Sequence, residues 1–250
     1  MLPGIRRPTM NLIPVIDLMR GQVVRAHRGA RGSYRPIESR LCASSDPITV
    51  ARVLRDHCDA DQLYIADLDA LTGGRPQVAI LRSLQRALPQ TELWVDAGCG
   101  DARVANELLE AVDAPAGCVI PVLASESMRS RQAFEQAFGP AGDDGSHACE
   151  DWVLSLDRRD GVRLDAAGCW TLPALWPTRV IAMTLEQVGT AAGPDLETFA
   201  ALRQLNAAVR WFGAGGVRDP GDLERARAAG ASGWLVASAL HDLRLPPMRR

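Results

Sequence analysis

The residues from Trp211 to Asp242, WFGAGGVRDPGDLERARAAGASGWLVASALHD, spell a strand, a turn, a helix and a second strand. An apolar strand end runs into Gly213-Ala214-Gly215-Gly216. Asp219 then offers an N-cap, with Pro220 at the first helical position. Leu223, Ala226 and Ala229-Gly230 give the helix one small apolar face, and a strand from Gly233 to Ala237 ends in Ala237-Ser238-Ala239. Two adjacent parallel strands ending in small residues bring backbone N–H groups beside helix starts, where orphan amides and the helix dipole favour an anion. Gly215, Gly216, Ala237 and Ser238 are therefore candidate phosphate-binding residues. The plainer reading is that these glycines only make tight strand-to-helix turns.

The alternation extends back to the start of the chain. Leu12 to Asp17 is a short apolar run ending in a carboxylate, and Gly21 to Arg25 reads as a return strand. An arginine-rich segment from His27 to Pro47 follows, long for a loop and suited to closing on a ligand or docking a partner. Then come a helix over Ile48–His57, a strand from Gln62 to Ala66 ending in Asp67-Leu68-Asp69, and a helix over Gln77–Leu88. Leu93 to Val95 runs into Asp96-Ala97-Gly98-Cys99-Gly100-Asp101, a helix spans Arg103–Val112, and the strand Cys118–Leu123 ends in Ala124-Ser125-Glu126-Ser127. After a helix over Arg129–Phe138 and a flexible-looking glycine- and aspartate-rich linker (Gly139 to Glu150), the pattern restarts at Trp152–Asp157. It continues with Val180–Thr184, a helix over Leu196–Leu205 and Ala208–Gly213. Asp17 and Gly21 are four apart, as are Asp157 and Gly161 (21 − 17; 161 − 157).

Alternating strands and helices imply a parallel sheet, and eight such units with an internal two-fold half-barrel repeat favour closure into a (βα)8 TIM barrel. One barrel domain is expected over residues 11–245, with half-barrels at about 11–138 and 151–245 and flexible tails at 1–10 and 246–250. The functional end of such a fold lies at the carboxyl ends of its strands. Asp17, Asp67, Asp157 and Thr184 all fall there. Capping of the following turns suffices for Asp67, but less well for two aspartates at equivalent places in two halves.

Composition narrows the chemistry. The 250 residues suit one such barrel, with 47% hydrophobic residues for a large core. The net charge of −2 argues for neither nucleic acid nor an anionic membrane as partner. All 28 basic residues are arginine, so no lysine exists to form a Schiff base. The six cysteines lie far apart without any C-x-x-C and read as reduced thiols; Cys99, in a glycine-rich turn, reads first as a plain small residue, with a reactive thiol as the sharper alternative. His147 and Cys149 are too thin a pair for zinc, and no metal site is expected. No segment reaches the roughly 20 apolar residues of a membrane span. A cytoplasmic protein is expected, with room for a homo-oligomer.

Five segments taken in order carry a family likeness: IPVIDLMRGQVVR (Ile13–Arg25), LYIADLDA (Leu63–Ala70), VLSLDRRDGV (Val153–Val162), FGAGGVRDPGDL (Phe212–Leu223) and LVASALHD (Leu235–Asp242). Together they resemble the histidine-biosynthesis barrel family, whose members are the phosphoribosylformimino-aminoimidazole-carboxamide ribotide isomerase and the related cyclase subunit. The resemblance implies an Amadori rearrangement on a substrate with a phosphate at each end, without metal or cofactor. An acid opens the ribose ring, and a base removes a proton from the adjacent carbon. By resemblance Asp17 is the general base, Asp157 the general acid and Thr184 the orienter, which requires two carboxyls in unlike environments. Arg25, Asp67 and Glu126 stand as candidate substrate contacts, and Gly98 and Gly100 as the first-half phosphate site.

Departures from the family pattern cluster in the first half. The glycine run after the third strand is Ala97-Gly98-Cys99-Gly100 here, and the glycine-threonine pair after the fourth is replaced within Leu123-Ala124-Ser125-Glu126. Val188-Gly189 stands where the family has aspartate-glycine. A carboxylate such as Glu126 beside a phosphate is repulsive. These variants are similar to an isomerase/cyclase-related branch of methanogens and methylotrophs, associated with one-carbon carrier cofactors of the methanopterin and methanofuran type. The expectation is an isomerase-like enzyme on a phosphorylated, ribosyl-type small molecule, a paralogue in one-carbon metabolism ahead of the histidine isomerase itself. A barrel that binds a phosphorylated ligand without catalysis is the competing class.

Overall fold

The computed structural model describes residues 10–26, 34–140 and 151–248. The start of the arginine-rich segment, most of the glycine- and aspartate-rich linker with His147 and Cys149, and residues 1–9 and 249–250 lie outside the described residues. The strands are β1 (Asn11–Met19), β2 (Gln22–Val24), β3 (Gln62–Asp67), β4 (Glu92–Asp96), β5 (Val119–Ala124), β6 (Val153–Arg159), β7 (Val162–Arg163), β8 (Arg179–Thr184), β9 (Arg210–Ala214) and β10 (Gly233–Val236). Between them run α1 (Pro47–Cys58), α2 (Leu68–Leu71), α3 (Val78–Ala87), α4 (Ala102–Val112), α5 (Arg131–Phe138), α6 (Leu196–Leu205), α7 (Pro220–Ala228) and α8 (Ser238–His241).

Eight strands pair in parallel in the order β1-β3-β4-β5-β6-β8-β9-β10, and β10 returns to β1 with Asn11 opposite Gly233 and Pro14 opposite Val236. The sheet is thus a closed (βα)8 barrel. Both faces of its strands are covered, which is why β5 and β8 read as unbroken runs of buried residues rather than alternating ones. One set of side chains fills the lumen, among them Ile13, Trp94, Ile120, Val153, Ile181 and Phe212, with Trp94 and Phe212 packed edge to face at 4.9 Å. The opposite set meets the helices. Gly213 serves this packing and not the anion turn: a Cβ there would lie 2.2 Å from the Trp234 ring.

The two-fold repetition is visible in the backbone. β2 folds back on β1 through Arg20-Gly21 (φ 50° and 79°), and β7 folds back on β6 through Asp160-Gly161 with the same pair of angles. Two successive left-handed residues make the hairpin turn whose twist matches the strands. β4 and β9 lie 118 positions apart (210 − 92), as do the caps that follow them. Asp101 accepts from the N–H of Val104 at 2.8 Å, and Asp219 from that of Asp222 at 3.1 Å. The predicted Asp219 cap and Pro220 helix start are both present.

Candidate active site

Strand alternation decides which side chains reach the top of the lumen. Val15 and Asp17 from β1, Tyr64 and Ala66 from β3, Asp96 from β4, Asp157 from β6 and Met183 from β8 line one cavity at the carboxyl ends of the strands. Glu126 lines it from the turn after β5, and Gly215, Gly216, Ala237 and Ser238 line its opposite side. The cavity opens to solvent at the mouth of the barrel.

Asp157 is 4% exposed and heavily supported. Ser155 Oγ donates to its Oδ1 at 2.7 Å, while Ser125 Oγ and the Glu126 N–H each donate to Oδ2 at 3.3 Å. Ser125 Oγ in turn accepts from the Asp157 N–H at 2.9 Å and from Trp170 Nε1 at 3.4 Å, which fixes its own proton toward the carboxyl. Burial pushes the Asp157 carboxyl up to about 7, with the Glu126 and Asp96 carboxylates adding to the rise and the Ser155 hydroxyl opposing it. Asp17 shares the cavity but is only partly buried. Two carboxyls in unlike environments therefore face one space, the condition for splitting acid and base roles.

Sequence reading missed Tyr64 and Asp96. Tyr64 OH donates to Asp96 Oδ2 at 3.1 Å. Burial holds the phenol well above its usual range, reinforced by the charges of Asp96, Asp157 and Asp17. The signal was strand parity, since Tyr64 precedes Ala66 by two and Asp96 follows Trp94 by two, so all four face inward.

The two halves of the mouth differ. In the first, the Gly98 N–H donates to Asp96 Oδ1 at 3.1 Å and the Glu126 N–H to Asp157, so carboxylates of the chain itself hold these turn amides. Gly98 and Gly100 lie outside the cavity lining; Gly100 is covered by Arg129, whose guanidinium pairs with Asp101 at 2.7 Å. That corrects their reading as open phosphate ligands. In the second half the four predicted residues do line the cavity, yet the glycine amides are engaged. Gly216 N–H donates to the Gln187 carbonyl at 3.1 Å and Gly215 N–H to that of Leu235 at 3.4 Å. The segment after β8 lies directly against this turn, and a Cβ on Gly216 would sit 2.0 Å from the Gly193 oxygen.

Three more expectations change. Thr184 is not in the lining, because Met183 takes the inward position on β8; the Thr184 hydroxyl donates to Asp195 Oδ2 at 2.8 Å. Arg25 points away from the cavity and bonds the Glu38 carbonyl and Asp242 Oδ1, each at 2.9 Å. Asp67, fully buried, accepts from the Gln77 N–H at 2.6 Å and caps α2 through Ala70. Cys99 is buried with its thiol pushed up to about 12 by that burial, which leaves no thiolate to react. Among the described residues no group of three or more His, Cys, Asp or Glu side chains is placed to hold a metal ion. No helix among them is long and apolar enough to cross a membrane.

The family model described as histidine biosynthesis protein matches residues 11–165 and 172–246. The chain belongs to the histidine biosynthesis protein family. A relative from Xylella fastidiosa (strain M23) is 30% identical over 260 residues, covering 94% of this chain and 88% of its own length. It is named 1-(5-phosphoribosyl)-5-((5-phosphoribosylamino)methylideneamino)imidazole-4-carboxamide isomerase. A protein of the same name from Cenarchaeum symbiosum (strain A) is 28% identical, covering 93% of this chain and 95% of its own. An uncharacterized protein from Methanocaldococcus jannaschii is 27% identical, with 93% of both chains covered. The histidine biosynthesis family thus supplies an isomerase-type enzyme as the class of this barrel.

Proposed function

We propose that this protein catalyses an Amadori rearrangement of a phosphoribosyl-bearing small molecule by acid–base chemistry without a cofactor. Asp157 donates a proton to the ribose ring oxygen as the C1–O bond breaks, leaving an open-chain imine. Asp17 removes the proton on C2 and returns it to C1 as the electron pair moves there, and the C2 hydroxyl gives its proton to the Asp157 carboxylate as C2 becomes a carbonyl. Nothing is gained or lost overall. The supporting observation is that Asp17 and Asp157 line one cavity, Asp17 partly buried and Asp157 buried with its carboxyl raised to about 7. A phosphate sits, in this reading, at the end lined by Gly215, Gly216, Ala237 and Ser238, taking over the Gly216 amide from the Gln187 carbonyl. The reaction takes place in the cytoplasm.

The names of the relatives favour the histidine-pathway isomerisation over a paralogue serving one-carbon carriers, a role those names do not support. One observation favours a second reading, a ligand with phosphate at one end only: carboxylates occupy the first-half turn amides. Purified protein offered the bis-phosphoribosyl aminoimidazole carboxamide substrate of its relatives is expected to turn it over, and its gene to restore growth of a histidine auxotroph lacking the isomerase. No turnover and no growth would move the assignment to the second reading.

A further inference from the structure

Tyr64 stands where the two candidate catalysts meet. It comes from β3, the neighbour of both β1, which carries Asp17, and β4, which carries Asp96. Tyr64 lines the cavity, and its hydroxyl donates to Asp96 Oδ2 at 3.1 Å. Asp96 is itself fixed, because its other oxygen accepts from the Gly98 N–H at 3.1 Å and the residue is 6% exposed. Among the described residues none donates to the phenol oxygen, which leaves its lone pairs to a ligand. Donation to a carboxylate strengthens that oxygen as an acceptor, since hydrogen bonds in a chain polarise one another.

We infer that the Tyr64 hydroxyl, anchored by Asp96, is a positioning group that accepts a hydrogen bond from the ligand hydroxyl on the carbon attacked by Asp17, and so holds that carbon between Asp17 and Asp157. This rests on the isomerase reading of the cavity. The chemistry asks for such a group. In the rearrangement the C2 hydroxyl becomes a carbonyl, and C2–H must point at the base while the ring oxygen faces the acid. One fixed acceptor for the C2 hydroxyl sets both. Tyr64 does not exchange its proton in this role: burial and the surrounding Asp96, Asp157 and Asp17 carboxylates keep the phenol un-ionised. The groups facing Asp157 are Glu126 after β5, Asp96 on β4, Tyr64 on β3 and Cys169 in the turn after β7. Removing the Asp96 charge therefore acts on Tyr64 and Asp157 together.

The chain has two tyrosines, which makes an ultraviolet titration of phenolate readable without any ligand. Tyr64→Phe assigns the Tyr64 transition by deleting it, and Asp96→Asn is expected to bring that transition down. A Tyr64 transition unmoved by Asp96→Asn would overturn the anchored pair whether or not the protein turns over any substrate. With the relatives' bis-phosphoribosyl substrate, Tyr64→Phe is expected to lower kcat about 10²-fold while KM changes little. Wild-type-like kcat in a folded Tyr64→Phe protein would overturn the positioning role, whereas an inactive wild type would count against the isomerase reading alone.

Discussion

Replacing Glu126 by Gln isolates one electrostatic cause of the state of Asp157. The substitution removes a charge from the cavity wall but leaves the Glu126 N–H that donates to Asp157 Oδ2 in place. Asp157 stands about three units above the ordinary aspartate value (7 − 3.8), with burial the first cause and Glu126 the second. Two carboxylates lining one cavity at an effective dielectric of about 20 repel by up to about 3 kcal/mol, or about two pH units. Glu126 is partly solvated, and screening brings this down to about one unit. Asp157 in Glu126→Gln is thus expected to titrate near pH 6. In the proposed role of general acid it works only while protonated, so the alkaline limb of the kcat/KM profile is expected to move down by the same amount. At pH 7.5 the protonated fraction falls roughly eightfold for a one-unit shift, and below about pH 5 the two proteins perform alike. The profile measured from pH 4.5 to 9 decides the matter. An alkaline limb that stays put or moves up would refute the electrostatic account, and a uniform loss at every pH would make Glu126 a ligand contact instead.

Asp157→Asn carries a stability signature with a definite sign. A carboxyl raised to about 7 binds its proton more tightly in the folded state, so stability falls as pH rises from about 3.8 to 7. The full cost is about 4 kcal/mol at most. Urea unfolding should find the variant about 1–2 kcal/mol more stable than wild type at pH 8, after loss of the Ser125 and Glu126 donors to Oδ2, and no more stable at pH 4. Equal stability differences at both pH values would contradict the raised carboxyl. Gly213→Ala puts a methyl 2.2 Å from the Trp234 ring and should cost about 1–3 kcal/mol in the same assay, with the cavity lining untouched. Gly216→Ala meets both a left-handed backbone (φ 80°) and the Gly193 oxygen. It should weaken inorganic phosphate binding at least tenfold by calorimetry, and unchanged affinity would remove the phosphate from that turn.

Much of this barrel was legible in the chain because buried parallel strands, aspartate caps and the paired Arg20-Gly21 and Asp160-Gly161 hairpins are local features. That Asp17 and Asp157 would line one cavity was legible because they sit at matching places before those hairpins. Facing was less legible than position. Thr184 ends its strand as expected, but a shift of one residue puts Met183 inward and turns Thr184 to Asp195. Asp96 and Tyr64 escaped notice because their partnership links residues 32 apart, across two strands that only the closed sheet brings side by side. The same holds for Gly213, whose reason lies in Trp234 on the next strand.

The division of labour between Asp17 and Asp157 is tested most directly by turnover of the relatives' substrate in Asp17→Asn and Asp157→Asn, each checked for folding and ligand affinity. Both are expected to lose about 10³-fold or more in kcat with affinity within a few-fold of wild type. Near-wild-type turnover in either would mean that the carboxyl changed plays no part in the proton transfers.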